Sequence, residues 1–120
     1  MNGFFVDKFP AVKVVVGWNQ KAATPIAILD TGFNGDLLVT PEIADDLGLE
    51  IVGRMNSKVA NGQIFELPMA LAVSAFGDCS NYVEVLISDG APLMGVGFLE
   101  KFGCKAIIDC KNKIVVLEKA

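Results

Sequence analysis

One tripeptide in the chain combines residue types that can do chemistry. Asp30-Thr31-Gly32 directly follows Pro25–Leu29, an apolar stretch with the composition of a buried strand. A carboxylate held at the end of such a strand can act as a general acid or base. The same residues also suit a simple turn, in which Asp caps backbone amides and Gly takes a positive φ. The tripeptide alone leaves both interpretations open.

The composition restricts the chemistry that is available. The 120-residue chain has no histidine, which excludes Ser-His and Cys-His nucleophile pairs and histidine-ligated zinc. Acid–base work therefore falls to carboxylates, Lys, Tyr or Cys. Lys plus Arg number 10 and Asp plus Glu number 14, and this net charge of −4 disfavours a nucleic-acid partner. No metal or cofactor is predicted, and Asp45, Asp46 and Glu50 are interpreted as surface residues on or near a predicted helix.

Length and hydropathy predict a single domain over residues 1–120. The hydrophobic fraction of 52% is ample for a packed core, and no apolar run approaches the ~20 residues of a membrane-spanning helix. A mean hydropathy of +0.50 indicates a subunit interface in addition to a core. The three cysteines, Cys79, Cys104 and Cys110, are predicted to be reduced thiols that are partly buried as a set, with Cys79 in an exposed turn. Residues 1–20 lack a signal-peptide pattern, so a cytoplasmic protein without a membrane partner is expected.

Short β-branched runs separated by Gly, Pro and Asn predict the elements that must position these residues. Strands are predicted over Ala11–Trp18, Pro25–Leu29, Leu37–Val39, Ile51–Ala60, Gln63–Ala75, Tyr82–Ile87, Ala106–Ile108 and Lys113–Leu117. Asn61-Gly62 between two of these runs is a strong hairpin signal. One short helix is predicted between the N-cap Thr40 and Gly48, and a second over Val96–Phe102.

The order of these features resembles the retropepsin-like aspartic proteases, single-lobe relatives of pepsin. The resemblance extends from about Ala11 to Leu117 and rests on three motifs: Ile-Leu-Asp-Thr-Gly, the central Asn-Gly hairpin, and Leu-Met-Gly before two closing strands. Asp-Thr-Gly-Phe is similar to a subgroup of small prokaryotic members. The family resemblance implies an all-β barrel or sandwich with one or two short helices that functions as a homodimer.

The resemblance also implies roles for individual residues. Asp30 matches the catalytic carboxylate, and Thr31 matches the residue whose hydroxyl locks two active-site loops across a dimer axis. Gly32 matches the position where backbone approaches the substrate and the partner loop. The active-site support, an element that lies beneath the catalytic loop, is matched by Leu93, Met94 and Gly95.

The expected substrate-binding residues form two groups, one after the triad and one at the tip of a hairpin flap: Phe33, Asn34 and Gly35, and Ala60, Asn61, Gly62 and Gln63. Some of these positions depart from the family pattern. Phe33 replaces a small residue, and Asn34 and Gly35 replace acidic residues. Val96 and Gly97 stand where Arg and Asn or Asp are usual, so the family's acid–Arg ion pair is expected to be replaced.

The family chemistry has a physical basis. Peptide hydrolysis without metal or histidine needs one group to take a proton from water and another to protonate the amide. Two carboxylates that share one proton can do both, since like charges about 3 Å apart do not both ionise. One chain supplies one such Asp, so Asp30 is expected to face its symmetry mate in a homodimer acting on peptide or protein substrates. The alternative, favoured by the bulk of Phe33, is a catalytically weak or inactive dimeric peptide-binding or scaffold module on the same fold.

Overall fold

Strands dominate the structure, which confirms the predicted all-β class. The structure, a computed structural model, describes residues 1–58 and 61–120. The first strands within these residues are β1 (Phe4–Val6), β2 (Phe9–Lys13), β3 (Val16–Trp18), β4 (Lys21–Ala23), β5 (Ile26–Leu29) and β6 (Leu37–Val39). They are followed by α1 (Pro41–Leu47), β7 (Ile51–Lys58), β8 (Ile64–Phe76), β9 (Cys79–Ile87), β10 (Leu93–Met94), α2 (Val96–Lys101), β11 (Cys104–Asp109) and β12 (Ile114–Lys119).

The main sheet has the strand order β1-β2-β5-β10-β6-β9-β8-β3-β4, with β7 paired to β8. Its centre combines two parallel pairs, β5 with β10 and β6 with β9, around an antiparallel contact between β10 and β6. The two-residue strand β10 therefore lies between β5 and β6. The intervening segment, residues 30–36, leaves the sheet on one side of β10 and returns on the other.

Apolar side chains divide into a main core and a smaller cluster. The largest fully buried residues of the main core are Leu37, Leu47, Met94, Phe98 and Leu117. The smaller cluster consists of Phe33, Leu38 and Leu86, with half-buried side chains from β7, β8 and β10 packed against it. This second cluster lies beneath the β7–β8 hairpin and holds that hairpin against the sheet.

Both predicted helices are present. The Thr40 hydroxyl oxygen accepts a hydrogen bond from the Ile43 amide at 3.3 Å, and Gly48 ends α1 with a φ of 67°. The second helix, α2, begins directly after Gly95 and ends at Lys101, and the Phe98 and Phe102 rings pack with centroids 4.5 Å apart. Within the described residues, neither helix has the length and apolar character needed to cross a membrane.

The predicted strand over Ala11–Trp18 is wrong in its extent, because the structure divides it into β2 and β3. The division follows from a change of partner, since β2 pairs with β5 whereas β3 pairs with β4 and β8. The Val14 amide, between the two strands, donates to the Pro25 carbonyl. Strand β9 begins at Cys79 rather than at Tyr82, and β1 and β4 are additions to the predicted elements.

The closing hairpin forms a separate two-stranded sheet of β11 and β12. The Asp109 carboxylate caps its turn, accepting from the Asn112 backbone amide at 3.0 Å and from the Asn112 side chain at 2.8 Å. The start of the chain lies along the other side of β12, where the Gly3 amide donates to the Val115 carbonyl. Cys79 and Cys110 are exposed free thiols and Cys104 is half-buried, so the exposure predicted for Cys79 is confirmed. Burial raises the pKa of the Cys104 thiol.

Candidate active site

Asp30 is held at the end of β5 by hydrogen bonds on three sides. Its amide donates to the Met94 carbonyl at 3.0 Å, and its carbonyl accepts from the Phe33 amide at 3.1 Å. One carboxylate oxygen, Oδ1, accepts from the Gly32 amide at 2.9 Å. Among the described residues, no other protein group donates to this half-buried carboxylate. The alternative interpretation of Asp30-Thr31-Gly32 as a simple turn is confirmed in part. The Asp30 side chain does cap a backbone amide, but Gly32 does not have a positive φ.

The segment 30–36 is fastened to the glycine-containing stretch after β10. The amides of Gly95, Val96 and Gly97 donate to the carbonyls of residues 36, 33 and 35, respectively, at 3.0–3.1 Å. A Cβ built on Gly95 would lie 2.5 Å from the Phe33 carbonyl oxygen and closer still to that of Gly35. The two backbones therefore approach as closely as they do only because residue 95 has no side chain.

Phe33 turns inward beneath this segment and is 1% exposed. A Cβ built on Gly35 would lie 2.6 Å from the Phe33 ring, so the ring fills the space under the loop. The ring is also one wall of an apolar cavity of about 210 Å³, which is lined by Phe33, Leu38, Ser57, Phe65, Leu67, Ser88 and Leu93. Phe33, predicted to bind substrate, therefore lines a pocket beneath the β7–β8 hairpin.

Asp30 lies in a second, more open pocket of about 430 Å³. Its lining is apolar apart from this carboxylate and consists of Val6, Phe9, Ile28, Leu29, Asp30, Ala91 and Leu93. Leu93 lines both pockets. Sequence reasoning missed Val6 and Phe9, which reach the site from β1 and β2. No local sequence signal marks these residues; in the structure, Phe9 is 57% exposed although it is a large apolar residue.

A solved structure shares this architecture. The retropepsin-like aspartic protease from Rickettsia conorii matches with a TM-score of 0.65 over 98% of this chain and 88% of that one, at 19% sequence identity. The chain has a retropepsin-like fold. No protein-family model and no curated protein sequence matches it.

An ion pair between the buried carboxylate of Asp36 and the more exposed Lys101 links the loop of this retropepsin-like fold to α2. Asp36 is 7% exposed, and its Oδ2 accepts from Lys101 Nζ at 2.8 Å and from the Glu84 amide at 2.9 Å. Lys101 also donates to the Tyr82 carbonyl at 3.1 Å. Sequence reasoning expected the usual ion pair of the fold to be replaced but did not identify Asp36 or Lys101. These residues are 65 positions apart, and only the packing of α2 against β9 reveals the pair.

The β7–β8 hairpin carries the other predicted site residues. At its tip, the Asn61 side-chain oxygen accepts from the Gln63 amide at 2.9 Å, and Gly62 has a φ of 86°. These three residues are exposed and line neither pocket, whereas Ala60 lies outside the described residues. Nearer the sheet, Met55 and Leu67 pack against the Phe33 cluster.

Two predicted residues of the loop face outward. Thr31 and Asn34 are both exposed, whereas Gly35 is half-buried and accepts the hydrogen bond from Gly97. In the part of the chain that the structure describes, no group of three Cys, Asp or Glu side chains is placed to hold a metal ion. The structure thus brings the residue 30–36 loop and Leu93–Gly95 together and leaves Asn61–Gln63 apart.

The contact at Gly95 predicts a large effect of a single methyl group. Gly95→Ala drives a Cβ into two backbone carbonyls, so we expect the free energy of unfolding to fall by about 3 kcal/mol. Gly53→Ala is the matched control, because the nearest atom to its Cβ is the Met69 methyl at 4.0 Å. Chemical denaturation of both variants measures the difference. Equal effects would contradict the close approach.

The burial of Asp36 predicts that its ion pair contributes more than an exposed one. Lys101→Met leaves a buried carboxylate without its cation and is expected to lower the free energy of unfolding by about 2 kcal/mol. Arg54→Met breaks the exposed Arg54–Glu66 pair, whose side chains are 55% and 61% exposed, and should cost less than about 1 kcal/mol. Thermal and urea unfolding test both. A Lys101→Met variant as stable as Arg54→Met would refute the role.

Proposed function

We propose that the chain is an aspartic endopeptidase whose active site is completed by a second copy of itself. The observation that carries the proposal is the Asp30 carboxylate. It is oriented by the Gly32 amide, lies in an apolar pocket, and belongs to a loop held by three backbone hydrogen bonds from Gly95 to Gly97. The solved structure of the same fold is a retropepsin-like aspartic protease, which supports the same activity here.

In the proposed reaction, the Asp30 carboxylates of two protomers share one proton. The ionised carboxylate takes a proton from water, whose oxygen bonds to the carbon of the scissile carbonyl. The protonated carboxylate gives its proton to the amide nitrogen as the carbon–nitrogen bond breaks. The products are a carboxylic acid and an amine, and no cofactor enters the balance.

The environment of Gly32 and Thr31 supports a two-fold arrangement. The backbone conformation of Gly32 does not require glycine, so the absence of a side chain there fits close approach by a substrate or a second loop. The exposed hydroxyl of Thr31 fits a contact across the two-fold axis. Homodimerisation is therefore part of the proposal, and a wild-type protein that cleaves peptide as a monomer in sedimentation experiments would refute it.

The position of Phe33 supports an enzyme over the alternative peptide-binding module. The ring is buried beneath the loop and lines the 210 Å³ cavity, whereas Asp30 lines the other, 430 Å³ pocket. The bulk of Phe33 therefore leaves the surroundings of the carboxylate open. It also shapes the neighbouring cavity, so it is proposed to restrict which side chain binds there.

The β7–β8 hairpin is proposed to act as the flap. Its body is anchored on the Phe33 cluster through Met55 and Leu67, while its tip at Asn61–Gln63 is exposed and touches neither pocket. A tip free of such contacts can close over an extended peptide and exclude water from the site.

Replacing the catalytic carboxylate gives the direct test. We expect Asp30→Asn to reduce peptide cleavage by about 1,000-fold or more, since the amide cannot accept the proton of water. The measurement is digestion of a broad peptide library, read by mass spectrometry. Asp78→Asn, in the exposed turn between β8 and β9, is the control and should retain wild-type activity.

Each outcome of the digest is informative. Cleavage that survives Asp30→Asn would contradict the carboxylate mechanism. Peptide binding without cleavage by the wild type would favour the binding or scaffold module instead. Inhibition of the wild type by a statine-type transition-state mimic would support the enzyme.

The pocket beside Asp30 predicts a preference for apolar side chains next to the scissile bond. Phe9→Ala removes one wall and should raise KM for such peptides by about tenfold with little change in kcat, because about 1–2 kcal/mol of apolar contact is lost. Phe4→Ala is the matched control, since Phe4 is an exposed aromatic residue on the adjacent strand outside the pocket. Steady-state kinetics of both variants on one apolar substrate give their KM values. Equal KM values for Phe9→Ala and Phe4→Ala would exclude Phe9 from the site.

A further inference from the structure

Ser57 places a hydroxyl group deep in the 210 Å³ cavity beneath the β7–β8 hairpin. It is paired with Phe65 on β8, so the two side chains share one face of the hairpin, and both residues line this cavity. Ser57 is only 3% exposed, whereas Phe65 is 47% exposed. The serine therefore lies at the bottom of the cavity, and the phenylalanine ring lies at its mouth.

Ser57 also differs from the other buried polar residues. Within residues 1–58 and 61–120, three polar side chains are buried: Asp36, Ser57 and Ser74. The Ser74 hydroxyl donates to the Val15 carbonyl at 2.6 Å, and Asp36 accepts from Lys101 at 2.8 Å. No group in this part of the chain forms a hydrogen bond with the Ser57 hydroxyl, so its donor and acceptor face the cavity without a partner there.

The hydrogen-bonding capacity of Ser57 affects what can fill the cavity. A hydroxyl group that is shielded from water needs a partner, since leaving it unpaired costs more than a typical hydrogen bond contributes. A ligand that enters the cavity removes water from Ser57 and must replace the hydrogen bonds that water makes. Such a ligand therefore binds better when it brings a polar atom to the bottom of the cavity.

The walls of the cavity restrict the rest of the ligand. Apart from Ser57 and Ser88, every lining residue is a phenylalanine or a leucine. No charged side chain lines the cavity, so a charged ligand group would lose its hydration without gaining a counter-ion. The cavity thus fits a neutral group that is apolar along its length and polar at its end.

Size and wall composition together indicate an aromatic ring. A cavity of about 150 Å³ lined by Leu, Ile and Phe is large enough for benzene. The cavity here has a volume of about 210 Å³, which accommodates a ring and a further polar atom. The Phe33 and Phe65 rings line it, and aromatic pairs attract each other beyond the burial of their surface. Tyrosine carries such a ring with a hydroxyl at its far end, which can both donate and accept.

We propose that this cavity binds a tyrosine side chain of the peptide ligand, and that Ser57 makes the cavity select tyrosine over phenylalanine. The tyrosine ring packs between Phe33 and Phe65, and its hydroxyl forms a hydrogen bond with Ser57. This inference rests on the proposed function for its peptide ligand and deepens it by naming a side chain that the site recognises. The cavity is separate from the pocket that contains Asp30, although Leu93 lines both.

The same hydrogen bond explains why phenylalanine is disfavoured. Its ring fills the cavity as the tyrosine ring does, but it leaves the Ser57 hydroxyl unpaired. A site that forms a hydrogen bond with a substrate hydroxyl rejects the analogue that lacks it more strongly than size alone permits. Ser57 is therefore assigned as a specificity-determining residue, with no part in the bond-breaking step.

The first test compares peptides that differ by one hydroxyl group. The wild-type digest identifies the position near the cleaved bond at which an aromatic residue is favoured, and matched substrates with Tyr or Phe are made for that position. We expect kcat/KM to be about tenfold higher for the tyrosine peptide. In Ser57→Ala the preference should fall below about twofold or reverse, because the tyrosine hydroxyl then lacks a partner.

Ser80→Ala is the matched control for this test. It makes the same substitution at an exposed serine of β9 that lines neither pocket, so it should keep the tenfold preference for tyrosine. Circular dichroism verifies that both variants are folded. A preference that survives Ser57→Ala, or is lost equally in Ser80→Ala, would overturn the assignment. Loss of the preference in Ser88→Ala but not in Ser57→Ala would also overturn it.

The second test measures binding without cleavage. Asp30→Asn leaves the cavity intact, because Asp30 does not line it. A peptide array with Tyr and Phe at each position is probed with Asp30→Asn and with the double variant Asp30→Asn/Ser57→Ala. We expect about tenfold tighter binding of the best tyrosine peptide than of its phenylalanine counterpart, and the double variant should lose this difference.

Cleavage and selectivity are separate readouts. Selective binding of tyrosine that depends on Ser57, with no cleavage by the wild type, would uphold the cavity assignment and refute the endopeptidase. Cleavage that requires Asp30, with equal rates for the tyrosine and phenylalanine peptides, would refute the cavity assignment alone. Absence of both peptide binding and cleavage would overturn both proposals.

Discussion

The molecule depends on one close backbone contact, in which the amides of residues 95–97 donate to carbonyls of the loop 33–36. Buried peptide groups need such partners, because each one left unpaired costs about 1–3 kcal/mol. A two-residue strand, β10, brings these groups together by lying between β5 and β6. The contact closes only at a glycine, since a Cβ at residue 95 would overlap the carbonyl oxygens opposite.

An ion pair and a buried aromatic ring next to this contact hold the residue 30–36 loop in place. Burying the carboxylate of Asp36 is costly, and the ammonium group of Lys101 together with the Glu84 amide offsets that cost. The pair joins the loop, α2 and β9, so a displacement of any of the three affects the others. The Phe33 ring fills the volume beneath the same loop, which leaves Asp30 directed toward the open pocket.

The proposed chemistry requires more than a single chain provides. One protomer offers one carboxylate, and proton exchange in both directions requires two. A two-fold axis would meet this requirement, because symmetry supplies a second copy of the same carboxylate.

Much of the fold was predictable because its signals are local. The Asn61-Gly62 turn, the Thr40 cap and the β-branched runs act over a few residues, so the hairpin, both helices and most strands follow from them. The strand predicted over Ala11–Trp18 is wrong at its centre. Its residues favour a strand throughout, and only pairing partners far along the chain divide it into β2 and β3.

The sequence by itself determined the residues on which the proposed chemistry depends: a single Asp-Thr-Gly, no histidine, and a glycine at the end of an apolar run near residue 95. Tertiary structure alone decided what surrounds these residues. It paired Asp36 with Lys101, turned Phe33 inward, brought Phe9 beside Asp30 and left β11 at an edge. Each of these results depends on contacts between residues that are distant in the chain. Local propensity carries no information about such contacts, because they arise from which elements pack together.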